Sequence, residues 1–174
     1  MPFRSWIVVL VCIAAASPCF AADTYVSARA DSGGSLRIQR AKGPGIVVTR
    51  DREQVGFDKV AISKDGRSVG WLALYENCCT SYPIPLKLTV YSAGRSRTFE
   101  GNRLPIWYWQ FTPDGRRVSF EQETVHGGLG VHYELREVAT GRLVAQYDPQ
   151  VTEEDRRSLA EDAPAWVSQL DASR

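Results

Sequence analysis

Apolar and polar positions alternate over short stretches along most of the chain, and glycine-bearing turns interrupt the alternation at regular intervals. Eleven stretches carry the β-branched and aromatic residues that suit a pleated, half-buried surface: 24–29, 35–41, 45–50, 57–63, 68–75, 86–92, 95–100, 107–112, 117–124, 130–138 and 142–147. Between them stand Lys42-Gly43-Pro44-Gly45, Lys64-Asp65-Gly66, Ala93-Gly94, Pro113-Asp114-Gly115 and Thr140-Gly141. Short strands with frequent turns predict an all-β fold. The period changes in the tail. Thr152-Glu153-Glu154-Asp155 is close to a capping box, with acids crowding the positive end of a helix dipole, so a helix is expected over 153–161. Asp162-Ala163-Pro164 restarts it, with Pro164 in a first turn. Trp166, Val167 and Leu170 then share one face, which is expected to dock on the sheet.

The first residues have a pattern of their own. Arg4 precedes the uncharged run Trp6–Ala16, and small residues stand at Cys19 and Ala21. A charge, a short apolar core and a small-residue exit predict a secretory signal over 1–21. A membrane anchor needs about 20 apolar residues, and Ser17-Pro18 breaks this run too early. Cys12 and Cys19 follow Val11 and Pro18, not the small residue of a lipobox. The expected organisation is a signal at 1–21, a β-repeat domain at 22–151 and a helical cap at 152–174, in a periplasmic or secreted protein with no stable membrane span. Charge adds little: 21 basic against 20 acidic residues give a net +1, which does not point to nucleic acid.

Two segments align with one another. Residues 57–76 read FDKVAISKDGRSVGWLALYE, and residues 108–123 read YWQFTPDGRRVSFEQE. Asp65-Gly66-Arg67 and Asp114-Gly115-Arg116 are their shared core, and each unit ends in a second hairpin, over 86–101 and 133–147. Residues 35–50 look like a third copy of that closing hairpin. A period of about 40–50 residues with four strands per unit marks propeller blades. Phe111-Thr112-Pro113-Asp114-Gly115-Arg116-Arg117-Val118-Ser119-Phe120, followed by Val138-Ala139-Thr140-Gly141-Arg142, resembles the TolB-type β-propeller repeat. The resemblance covers roughly 35–147 and implies a protein-binding platform. Closed propellers use about 4–8 blades, and residues 22–151 hold about three. The expectation is therefore an open, propeller-like or sandwich-like stack of short antiparallel sheets with a C-terminal helix, its oligomeric state left open.

Several constellations carry chemistry. Cys78 and Cys79 are adjacent, in Glu76-Asn77-Cys78-Cys79-Thr80-Ser81-Tyr82-Pro83. In an oxidising compartment such thiols are expected to pair, although their Cα atoms lie only ~3.8 Å apart, below the usual disulfide range of about 4.4–6.8 Å. Reduced buried thiols, or one thiol bridging to another chain, are the alternatives. His126 and His132 flank Gly127-Gly128-Leu129-Gly130. That is too little for a metal site, which needs three or four converging ligands, but it suits a contact loop. Trp107 and Trp109 are expected on one strand face with Tyr108 on the other, as sheet packing or as a glycan platform. Glu121 and Glu123 fall on one face, by default a solvated one. No Gly-x-Ser-x-Gly elbow and no phosphate loop occurs.

These features favour a non-enzymatic binding module that takes a protein partner in the cell envelope and needs no cofactor. Its candidate contact residues are Asn77, Cys78, Cys79, Tyr82, His126 and His132. An inhibitor or immunity protein against an envelope-targeted enzyme, or a glycan or ligand binder, are the alternatives. An enzyme built on Glu121, Glu123, His126 and His132 ranks last.

Overall fold

A computed structural model describes residues 23–101, 104–126, 130–149 and 163–172. The expected signal and the helix expected over 153–161 lie outside the described residues. All eleven predicted strands form: β1 (Tyr25–Ala30), β2 (Ser35–Arg40), β3 (Ile46–Thr49), β4 (Gln54–Ile62), β5 (Ser68–Tyr75), β6 (Ile84–Ser92), β7 (Arg95–Glu100), β8 (Ile106–Phe111), β9 (Arg117–Glu123), β10 (Val131–Glu137) and β11 (Leu143–Tyr147), followed by α1 (Ala165–Asp171). They make three antiparallel sheets, ordered β1-β2-β3, β4-β5-β6-β7 and β8-β9-β10-β11. Among the described residues the fold is all-β, an open stack with one short C-terminal helix. The β2–β3 hairpin closes its sheet as β6–β7 and β10–β11 close theirs.

Two strands start two or more residues earlier than their patterns indicate. β4 begins at Gln54, and β6 begins at Ile84 and runs through Pro85. Proline cannot donate to a ladder, but the β5–β6 register slips between Ala73 and Leu74, and Pro85 sits at that irregularity.

The sheets stack, with β1 on β4, β6 on β8, and α1 on β8 and β9. Each interface has its own apolar cluster. Tyr25, Leu36 and Ile38 meet Val69 and Trp71 between the first two sheets. Leu72, Leu88, Val90 and Phe99 meet Ile106, Trp109, Val118 and Phe120 between the second and third. Tyr133 meets Val167 and Leu170 under the helix, with Trp166 alongside. This layering explains why β5 (SVGWLALY) is buried almost throughout instead of alternating. Val69 and Trp71 feed one cluster while Leu72 feeds the other. Gly70 is small for the same reason: a Cβ there would stand 2.3 Å from the Trp109 ring.

The ends of the stack are finished differently. At one end Arg29, Arg37, Gln39 and Thr49 of the first sheet are exposed to solvent. At the other, α1 docks by Val167 and Leu170, as its spacing predicts. Pro164 takes the cap position, one place before the expected first turn, and supplies no side-chain bond. Burial pushes the Asp171 carboxyl up, opposed by its hydrogen bond from Tyr133.

Candidate functional site

The antiparallel meanders put the β4–β5 and β8–β9 turns at one end of the second and third sheets, and the β5–β6 and β9–β10 loops at the other. The turn end is the repeated end, and it is structural. Ser63 Oγ donates to Asp65 Oδ1 (2.6 Å) and accepts from Ser68 N (2.9 Å), while Arg67 N donates to Asp65 Oδ1 (3.1 Å). Thr112 Oγ1, Asp114, Arg117 N and Arg116 N repeat this pattern at 2.6, 3.1 and 3.0 Å. Gly66 and Gly115 take φ of 70° and 68°, which costs a non-glycine residue about 1–2 kcal/mol. Arg97 ties the sheets together here by donating to the carbonyls of Val138 (3.1 Å) and Ala139 (2.8 Å).

The loop end holds a cleft of about 650 Å³ between the second and third sheets. Its lining includes Asp58, Lys59, Tyr82, Trp107, Glu121 and His126. Lys59 is held from several directions. Its φ is 45°, at a point where the β4–β5 register slips between Asp58 and Ala61. Its carbonyl accepts the Trp109 indole N–H (3.0 Å), and its ammonium donates to the Trp107 carbonyl (2.8 Å) and lies 3.6 Å from the Tyr108 ring centroid. A left-handed non-glycine backbone costs energy and persists only where its surroundings hold it, which is common at functional sites. The Trp107 indole N–H donates to the Glu123 carbonyl (3.0 Å), fixing the ring at the cleft wall.

Two expectations on this strand pair are corrected. Trp107 and Trp109 do not share a face. The β8–β9 register slips between Ile106 and Tyr108, so Ile106 and Trp109 enter one core cluster while Trp107 lines the cleft. Nor is the Glu121 face solvated. Glu121 is only 1% exposed, because β9 is an interior strand of its sheet and the helix packs against it.

The predicted contact residues divide. Tyr82, from the β5–β6 loop, and His126, from the β9–β10 loop, line the same cleft, and both are exposed. Asn77 organises the first loop. Its Oδ1 accepts from Cys79 N (2.8 Å), and its Nδ2 donates to Thr80 Oγ1 and to the Tyr82 carbonyl (3.3 Å). Cys78 and Cys79 are free and exposed in this structure, and they do not belong to the cleft lining. His132 stands apart on β10, between Asp148 (2.5 Å from Nδ1) and Glu134 (3.2 Å from Nε2). Burial lowers its pKa, but the two carboxylates outweigh that and raise it above the usual 6.5. Arg136 also bonds Glu134, at 2.5 Å. Asp58 and Lys59 were missed by the sequence reading, although a charged pair inside the apolar run of β4 was the available signal. Among the described residues no group of three or more His, Cys, Asp or Glu could hold a metal ion, and no helix is long and apolar enough to cross a membrane.

No family model matches the chain, and no curated protein sequence matches it. Among solved structures it is similar to Kuenenia stuttgartiensis hydrazine synthase, at 20% identity and a TM-score of 0.43, over 74% of this chain and 34% of that one. The chain therefore spans well under two thirds of that protein's length, and a likeness this low carries no functional weight.

Proposed function

We propose that this chain is an exported, non-enzymatic binding module of the bacterial cell envelope that holds a protein partner at the cleft between its second and third sheets. The observation behind this reading is the convergence of Tyr82 and His126, from two different loops, on one cleft set into a layered β scaffold. Loops carried on rigid sheets commonly supply recognition surfaces. The half-buried Trp107 beside exposed Tyr82 supplies the aromatic area that protein interfaces favour. The TolB-type resemblance of the repeat points the same way. A photo-reactive residue at Tyr82 or His126, in cells, is expected to cross-link one envelope protein, while the same residue at Arg116 in the turn end does not. Equal cross-linking from both ends would defeat the assignment.

A second reading has one observation in its favour. Glu121, Glu123 and His126 line the same cleft as Lys59, a set able to perform acid–base chemistry. A hydrolytic activity lost in Glu121→Gln, with the fold intact by circular dichroism, would replace the binding reading with an enzymatic one.

A further inference from the structure

We propose that Cys78 and Cys79 form a thiol–disulfide exchange site whose closure resets the β5–β6 edge of the cleft; the regulatory part rests on the binding reading above, the exchange chemistry does not.

The two thiols are adjacent and exposed, so a disulfide-bearing reactant can reach either sulfur. Adjacency keeps the two sulfurs a few bonds apart, so closure needs a local change at the one peptide that joins them and no long-range search. One thiolate attacks an external disulfide, either a protein oxidant of the exchange class or oxidised glutathione, forming a mixed disulfide and releasing one thiol. The second thiolate attacks the protein sulfur of that mixed disulfide and expels the other thiol. Two cysteine thiols become one disulfide, the external disulfide becomes two thiols, and the two protons pass to them.

The consequence for the cleft follows from one amide. The peptide joining Cys78 to Cys79 lies inside the ring that closure makes. Its N–H is the donor to Asn77 Oδ1 (2.8 Å). The other end of the same carboxamide holds the Tyr82 carbonyl (3.3 Å), which also accepts from Thr80 Oγ1 (2.5 Å). Neighbouring Cα atoms lie ~3.8 Å apart, short of the roughly 4.4 Å at which ordinary disulfides begin. Closing the ring must distort that peptide and redirect its N–H. The Asn77 carboxamide is thus a strut between the redox centre and Tyr82, and Tyr82 with Pro83 lines the cleft. Strain also makes the bond easy to reduce, so the site cycles.

The test uses the purified exported protein, without the expected signal 1–21 and so without Cys12 and Cys19, equilibrated across reduced-to-oxidised glutathione ratios and acid-quenched. At the oxidising end the monomer is expected two hydrogens lighter, with no thiol open to alkylation, and Cys78→Ser is expected to carry a glutathione adduct instead. Two free thiols at every ratio, or a disulfide-linked dimer in place of the light monomer, would overturn the exchange site. Proton and carbon spectra then read the coupling. Oxidation is expected to shift the Tyr82 ring signals, and Asn77→Ala is expected to keep ring closure but lose that shift. A Tyr82 that does not respond in the unmodified protein would overturn the strut. Where the cross-linked partner is in hand, the two redox forms are expected to differ in affinity by about fivefold or more. Equal affinities would end the regulatory part and leave the binding reading standing. Failure of both forms to bind any partner would end the binding reading, while the mass change still reports the exchange chemistry.

Discussion

The two ends of the second and third sheets are made on opposite principles. At the turn end, Ser63-Lys64-Asp65-Gly66-Arg67 and Thr112-Pro113-Asp114-Gly115-Arg116 make the same hydrogen bonds atom for atom. At the loop end, the β5–β6 loop is organised by an asparagine and carries two cysteines, whereas the β9–β10 loop carries glycines and a histidine. The comparison separates two jobs. Where the repeats agree, the chain fixes its own register and packs one sheet on the next. Where they diverge, the two loops share no sequence pattern, and Tyr82 of one and His126 of the other line a single cleft.

The sharpest way to break this comparison is at Gly115. Its φ is 68°, and a Cβ would lie 3.0 Å from Asp65 Oδ1 of the neighbouring turn. Gly115→Ala is expected to cost about 2 kcal/mol in denaturant unfolding, combining left-handed strain of about 1–2 kcal/mol with that contact. Gly94→Ala is the control: its φ of 77° is just as unfavourable, but nothing lies within 4 Å, so it should show the backbone cost alone. If both cost the same, the two turns do not brace each other.

A smaller effect comes from pH, and its two limbs map to different places. The first influence on Asp65 is burial, which raises its pKa, but hydrogen bonds from Ser63 and Arg67 N–H outweigh it and hold the carboxyl below its ordinary 3.8. The Thr112 hydroxyl, then the Arg116 N–H, do the same for Asp114. Lowered carboxylates contribute stability that is present above about 3.8 and lost as pH falls through the folded value. His132 has the opposite sign. Its contribution is complete below 6.5 and disappears as pH rises through its raised value. Asp65→Asn with Asp114→Asn is expected to flatten the acid limb, to which Asp31 and Asp51 also contribute. His132→Gln is expected to flatten only the limb that begins above 6.5. A limb above 6.5 untouched by His132→Gln would show that the Asp148–His132–Glu134 contacts do not form in solution.

Much of the architecture was legible because it is periodic. Alternation located the strands, and the Asp-Gly-Arg spacing located the repeated turns. The spacing of Trp166, Val167 and Leu170 located the docking face of α1. What the pattern could not show was where alternation fails. The slip between Ile106 and Tyr108 parts two tryptophans that a regular strand would keep together. The slip between Asp58 and Ala61 accompanies the left-handed backbone at Lys59. Both build the cleft, and neither is written in residue type. Glu121 was misread for a related reason: a helix was expected to dock on the sheet, but local pattern does not say that it covers β9. Tyr82 and His126 were nominated from separate loops, but their convergence depends on how two sheets stack, a long-range fact that local pattern does not carry.

The smallest expected effect on stability is the most informative about the cleft. Tyr82 is 49% exposed, and its backbone carbonyl, not its ring, is what Asn77 and Thr80 hold. His126 is exposed. Removing either side chain therefore uncovers little apolar surface and breaks none of the loop's hydrogen bonds described above. Tyr82→Ala and His126→Ala should each stay within about 0.5 kcal/mol of the unmodified protein in denaturant unfolding. Together they should weaken partner binding by about tenfold or more, since aromatic anchors in a cleft carry a disproportionate share of binding energy. A stability loss comparable to that of Gly115→Ala would make the loops part of the scaffold and erase the difference between the two ends. Unchanged stability with unchanged binding would keep that difference but move recognition away from this cleft. Only stability retained with binding lost fits a chain whose repeated end holds the fold and whose diverged end meets the partner.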